Sequence, residues 1–286
     1  MRTLIINADD VGFSREINTA VKDCYEKDIL TGVSIMACGE YFKEAADILR
    51  GINKLETGAH LTLTGKFCPC TKENSAVSSI LKSEGTFEAD YKGLFLRYYK
   101  KELELSQVKK EFSNQIENIQ QEGFTITHLD THEHIHLFPG IMKLLIVLAE
   151  EYKVPYIRIP LETRKIINIQ FALKDLLRHT ALKHFSVKAK KLIVNTKAVS
   201  NDVFWGHFHS GRMDDDILCY MMKNLTNGIN ELAVHPAVES ADFTGKYPWY
   251  RNSGAELNAL LNGKWQNFAA ERKIRFVSHK QAVESI

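Results

Sequence analysis

Thr3-Leu4-Ile5-Ile6-Asn7-Ala8-Asp9-Asp10-Val11-Gly12-Phe13-Ser14 is the stretch from which the fold is read. Residues 3–8 are apolar and partly β-branched, the pattern of a short buried strand. Two carboxylates follow directly, and Ser14 is placed to cap a helix running on through Ala20 and Cys24. A strand handing over to a helix through a polar turn is the first half of a βα unit. The turn is not a glycine-rich phosphate loop, so an open dinucleotide-binding sheet is a poor match.

The same unit recurs outward from there. Further strands are predicted over residues 32–37, 57–63, 125–132, 156–159, 231–234 and 274–278, and helices over 40–50, 106–121 and 141–152. Gly123 stops one helix, Pro139-Gly140 opens another, and Pro160 ends a strand. Repeated βα units imply a parallel sheet covered by helices. Their number, in a chain of 286 residues, favours a closed or nearly closed α/β barrel as a single domain over 1–286. Residues 161–200 stand apart as a helical, basic elaboration. Lys165, Lys174, Arg178, Lys183, Lys188 and Lys190 alternate there with Phe171, Leu173, Leu176, Leu177 and Leu182. The expected form is a solvated helical pair covering the barrel; a basic surface for a membrane or an acidic partner is the alternative.

Composition narrows the partners. The 37 basic and 35 acidic residues nearly cancel, which gives no general reason to expect nucleic acid or an anionic membrane. The apolar run at residues 3–6 is too short for a signal-peptide core, and no stretch reaches transmembrane length. An odd set of cysteines (Cys24, Cys38, Cys68, Cys70 and Cys219) suits free thiols, so a cytoplasmic location is expected. Cys68-Pro69-Cys70 lacks the second cysteine pair that a metal site of that kind needs.

Ionisable residues gather at the predicted C-terminal strand ends, the face on which parallel βα barrels carry chemistry. Asp9 and Asp10 end the first strand, His60 interrupts the third, and His235-Pro236 follows the sixth. Arg158 is a charge inside an otherwise apolar strand and needs carboxylate partners, for which Asp9 or Asp130 are available. The densest signal is Thr127-His128-Leu129-Asp130-Thr131-His132-Glu133-His134-Ile135-His136. Drawn as an extended chain, His128, Asp130, His132, His134 and His136 share one side along about 26 Å. One ion cannot touch every member, so one or two would bind and the others support or contact substrate. An aspartate with two histidines and open positions is a common hydrolytic metal set. A spare carboxylate can take the proton of water, and a separate histidine can protonate a leaving amine. That is metal-assisted amide or ester hydrolysis.

At these residues the chain resembles the YdjC family of carbohydrate deacetylases, which includes the chitooligosaccharide deacetylases. The matching stretches are Asn7-Ala8-Asp9-Asp10-Val11-Gly12-Phe13-Ser14, Gly58-Ala59-His60-Leu61-Thr62-Leu63, residues 128–139, Arg158-Ile159-Pro160 and Val234-His235-Pro236. The resemblance implies a distorted TIM-like (β/α) barrel, removal of the N-acetyl group from a small chitooligosaccharide, and a divalent ion assigned as magnesium. It implies Asp10, His60 and His132 as metal ligands, Asp9 as general base and His235 as general acid. Arg158 would orient Asp9, with Asp130 and His136 supporting. Val11 departs from the aromatic residue frequent at its position, and residues 164–191 match no family pattern. Mixed nitrogen and oxygen donors physically suit zinc or cobalt better than magnesium. Trp249 and Tyr250, in the aromatic run Tyr247-Pro248-Trp249-Tyr250, are expected either to stack on sugar rings or to anchor a packed loop. A homodimer is left open. The competing functions are hydrolysis of another amide or a phosphoester, and sugar binding without turnover.

Overall fold

The computed structural model describes residues 1–52, 54–162 and 173–286, the side chains of 173–177 excepted. Its strands are β1 (Arg2–Val11), β2 (Gly32–Ile35), β3 (Glu56–Leu61), β4 (Ile126–Thr131), β5 (Tyr156–Ile157), β6 (Val203–Trp205), β7 (Gly228–Val234) and β8 (Arg275–Phe276). They pair in parallel in the order β5-β4-β3-β2-β1-β7-β6. The two ends of that path meet through bridges between Tyr156 and Val199 and between Glu162 and Phe204. Seven strands thus curl into a distorted barrel. β8 is displaced from the ring. β7 takes one edge of β1 over residues 2–8, so β8 pairs with Thr3 and Leu4 on the other edge, below the point where β2 takes over at Asn7.

Helices α1 (Arg15–Glu26), α2 (Phe42–Arg50), α3 (Tyr91–Tyr99), α4 (Leu105–Gln121), α5 (Pro139–Glu151) and α6 (Leu173–Ile193) cover the first part of the ring. They are followed by α7 (Asp215–Asn224), α8 (Ala241–Lys246), α9 (Ser253–Asn262), α10 (Lys264–Glu271) and α11 (His279–Glu284). Ser14 caps α1 by accepting from Ile17 N at 3.3 Å, as its position in the sequence suggests. One apolar cluster draws its members from Leu4 to Ile274, and α4 buries Val108, Phe112, Ile116 and Ile119 against it. Burial of this extent is the main force holding helices to sheet.

The basic segment is described in part. A single helix, α6, spans its described residues, while Lys165 and Phe171 lie outside them. Ser186 donates to Pro160 O at 3.0 Å, Lys190 to Ser200 Oγ at 2.8 Å, and Ala189 and Ile193 are buried. This stretch packs on the barrel as a covering helix. Among the described residues no helix is long and apolar enough to cross a membrane.

Candidate active site

Adjacent residues on a regular strand face opposite ways, so Asp9 and Asp10 would be separated. A β-bulge resolves this. Ala8 pairs with Val33 and Val11 with Ile35, which leaves one extra residue on β1, and Asp10 takes a left-handed φ of 60°. Both carboxylates are thereby buried at the barrel mouth, 2% and 1% exposed.

Asp10 Oδ1 lies 3.1 Å from His60 Nε2 and 2.8 Å from His132 Nδ1. One donor atom from each of the three residues falls within a 4.8 Å cluster. These spacings match neighbouring donors around an ion with bonds of about 2.1 Å, which lie roughly 3.0 Å apart at right angles. The other nitrogen of His60, Nδ1, sits 2.7 Å from Asp130 Oδ1, an arrangement that fixes the ring and aims Nε2 at the cluster. Burial works against charge on His60, yet Asp130 and Asp10 raise its pKa to about 10. For Asp10, burial alone would raise the carboxyl, but His132 and His60 hold it well below the usual range. The donor set fits a divalent ion.

Asp9 is held differently. Arg158 grips it with a two-pronged contact, Nη1 to Oδ2 at 2.6 Å and Nη2 to Oδ1 at 2.8 Å, and Asn7 Nδ2 adds a bond at 2.8 Å. Arg158 Nη1 also meets Asp130 Oδ2 at 2.7 Å. Asp9, His60 and Asp130 form a second cluster with metal-like spacing, but the guanidinium already supplies its cation. His235 Nε2 faces Asp9 Oδ2 at 3.8 Å. Burial lowers the His235 pKa, with Asp9 acting in the opposite sense. A third cluster, Cys38, Cys70 and Glu111, lies elsewhere. There Cys70 N, Thr71 N, Thr71 Oγ1 and Gln115 Nε2 already occupy the Glu111 carboxylate.

The extended row from His128 to His136 does not form. β4 ends at Thr131, and residues His132–Leu137 coil tightly, with Glu133 and His134 at left-handed φ of 53° and 56°. Thr131 Oγ1 accepts from His136 N at 3.1 Å and pairs with its Nδ1 at 2.6 Å, which closes the turn. Ile135 and Leu137 return to the core, so the alternation breaks for a packing reason. His132 alone of the last three histidines reaches the cluster with Asp10 and His60. His134 turns toward Phe204 and His207, and His128 lies deeper, stacked on His279 at 3.5 Å.

For Tyr250 the reading as a packed anchor fits the structure. It is 3% exposed, packed among Phe13, Phe243 and Trp249, and its hydroxyl donates to Asp10 Oδ2 at 2.6 Å. A ring so enclosed lines the pocket with only a small part of its surface. Trp249 is 47% exposed and stands edge-on to His235 at 5.0 Å, so its surface remains open beside the site.

Asp9, Asp10, His60, His132 and His235 line a single pocket of about 400 Å³, within the roughly 300–1,000 Å³ common for small-ligand sites. Arg158, Asp130 and His136 lie behind its wall. The pocket also takes in Lys66, Glu133, Arg178 and Lys246, which sequence reasoning did not single out. Arg178 comes from the basic segment, where only its charge was visible. Glu231, bonded to Arg158 Nε at 2.7 Å, was missed as well. Its signal is weaker than that of Arg158, a charge at the first position of the predicted strand 231–234.

Fold and site together define a β/α-barrel protein with a candidate metal centre at the C-terminal strand ends. Residues 3–271 match the YdjC-like protein family, and the chain belongs to it. The chain is similar to a carbohydrate deacetylase of Thermoanaerobacter pseudethanolicus, 26% identical over 98% of each chain. A carbohydrate deacetylase of Brevibacillus brevis is 24% identical over 97% of this chain and 98% of its own. One from Clostridium beijerinckii is 31% identical over 53% of this chain and 58% of its own. A crystal structure from Enterococcus faecalis V583, described as that of a candidate cellobiose-phosphate cleavage protein, superposes with TM-score 0.79 at 19% identity and 98% coverage of both chains. That likeness is one of fold.

Proposed function

We propose that this chain is a metal-dependent carbohydrate deacetylase that removes N-acetyl groups from chitooligosaccharides. The observation carrying the reading is the convergence of Asp10, His60 and His132 on one point, with Asp9 and His235 beside it in the same pocket. The carbohydrate deacetylases to which the chain is similar over nearly its whole length support the class of reaction.

Asp10 Oδ1, His60 Nε2 and His132 Nδ1 would hold the ion. When bound, it supplies Lewis acidity to the acetyl carbonyl and lowers the pKa of water. Two nitrogens and one oxygen suit zinc or cobalt, and magnesium is the ion implied by resemblance. Asp9 accepts the water proton; Arg158 and Asn7 occupy its other lone pairs and keep it aimed into the pocket. His235, 3.8 Å from Asp9, delivers a proton to the departing amine. Asp9 Oδ2, which faces His235 Nε2 at 3.8 Å, would hand on the water proton that His235 delivers. Trp249 offers an exposed aromatic face to a pyranose ring next to this acid.

The test is mass spectrometry of diacetylchitobiose after incubation with metal-loaded and chelated protein. Loss of one acetyl mass with metal, and none without, is the expected result. Release of acetate by the chelated protein would refute the metal requirement; release from simple acetylated amines but not from the sugar would refute the substrate class.

A further inference from the structure

The guanidinium of Arg158 is fully buried and meets three carboxylates. Two of them, Asp9 and Asp130, have roles at the pocket: one lines it, and the other holds His60. The third, Glu231, does neither. It rises from the middle of β7 at 0% exposure, outside the pocket lining, and takes Arg158 Nε at 2.7 Å on Oε1 and the Tyr156 hydroxyl at 2.8 Å on Oε2. His279, from α11, approaches Oε1 to 3.5 Å.

A third buried carboxylate on one guanidinium is electrostatically costly, and an apolar residue of similar size would pack there more cheaply. What it adds is a fixed reference. Asp9 and Asp130 contact only the Nη atoms, and they are the groups whose direction is at issue. If they alone held Arg158, the three side chains could turn together. Glu231 binds the remaining edge, at Nε, from a strand paired on both sides: Ile5 of β1 and Phe204 of β6. Tyr156 anchors its second oxygen, so the plane of the guanidinium is set from behind the site.

We propose that Glu231 is a positioning residue that aims Arg158, and through it the Asp9 carboxylate, at the reacting water. The proposal rests on the reading of Asp9 as the base in deacetylation. Misplacement of a base by about 1 Å costs on the order of 100-fold in rate. Glu231→Gln keeps the shape and one acceptor but removes the charge. Measured on diacetylchitobiose with saturating metal, it should lower kcat by about 10–100-fold, leave KM within about 3-fold, and leave the metal content unchanged. Glu231→Asp should recover part of kcat. A crystal structure of Glu231→Gln should show the two-pronged Asp9–Arg158 contact loosened.

An unchanged kcat in folded Glu231→Gln would overturn the proposal, as would a parallel loss of metal and kcat, which would place Glu231 in metal retention. Should Glu231→Gln fail to fold, Tyr156→Phe, which frees one Glu231 oxygen without removing the charge, decides by the same kcat, KM and metal readouts. If the wild-type protein deacetylates no N-acetyl sugar, the functional reading falls. The crystallographic comparison then decides the positioning role, an intact Asp9–Arg158 contact in the variant counting against it.

Discussion

Replacing Tyr250 with phenylalanine separates a role toward Asp10 from a role toward substrate. The change removes one oxygen, the donor to Asp10 Oδ2 at 2.6 Å, and leaves the ring among Phe13, Phe243 and Trp249, so the aromatic cluster and fold should persist. A hydrogen bond to a charged group contributes about 1.5–3 kcal/mol, and leaving a buried carboxylate oxygen unpaired costs a similar amount. Without that bond Asp10 is held by His60 and His132 alone, the groups with which it must share an ion. Outer contacts of this kind typically change metal affinity by about 10–100-fold, which agrees with the hydrogen-bond figure at about 1.4 kcal/mol per factor of ten. Tyr250→Phe should therefore raise the Kd for zinc or cobalt by about tenfold or more, read by competition with a chromogenic chelator. At saturating metal, KM for diacetylchitobiose should stay near the wild-type value. Unchanged metal affinity together with a raised KM would refute this reasoning and return Tyr250 to the substrate.

Asp9→Asn should keep the metal and lose about 10²–10⁴-fold in kcat that added metal does not restore, since an amide cannot take the proton; elemental analysis with steady-state kinetics checks both halves. His132→Ala should remain folded but fail to retain metal after dialysis, and full occupancy by elemental analysis would remove His132 from the ligand set. Glu162 gives a pH prediction away from the centre. Burial pushes its carboxyl up to about 8, with backbone N–H groups of Phe208 and Gly206 acting to lower it. Below the ordinary value of 4.5 both folded and unfolded chains hold the proton. As pH rises toward 8 the unfolded chain releases it first, so folding stability falls across that window by on the order of 1 kcal/mol per pH unit. Urea denaturation of Glu162→Gln at several pH values should show a flatter decline than wild type, and parallel curves would contradict the shift.

Much of the site could be read from the sequence because a parallel barrel brings its strand ends together. Asp9, Asp10, His60, Asp130, Arg158 and His235 each interrupt or terminate an apolar run, and a charge there is costly unless it meets a partner. Topology supplies the partners. What escaped depends on backbone states without a local signature. No glycine marks the left-handed turns at Asp10, Glu133 and His134, so the row of histidines looked straight when it is bent. β6 is three residues long, too short for a periodicity to register, and β5 needs distant bridges to close the ring. Tyr250 finds Asp10 across 240 positions of chain, a contact that composition of the aromatic loop could not disclose.

The bulge in β1 has a further consequence. The proposed base and one proposed ligand are neighbours on a single peptide link, so their separation is fixed by covalent bonds, whereas His60 and His132 arrive on β3 and just beyond β4. Breathing of the barrel carries Asp9 and Asp10 as one body and lets the two imidazoles drift from them. Mild heating or sub-denaturing urea should then release the ion while the Asp9–Asp10 spacing is still intact. The chelating half of the centre, which spans strands, is its thermally soft part, while the Asp9–Asp10 pair is joined by the chain itself.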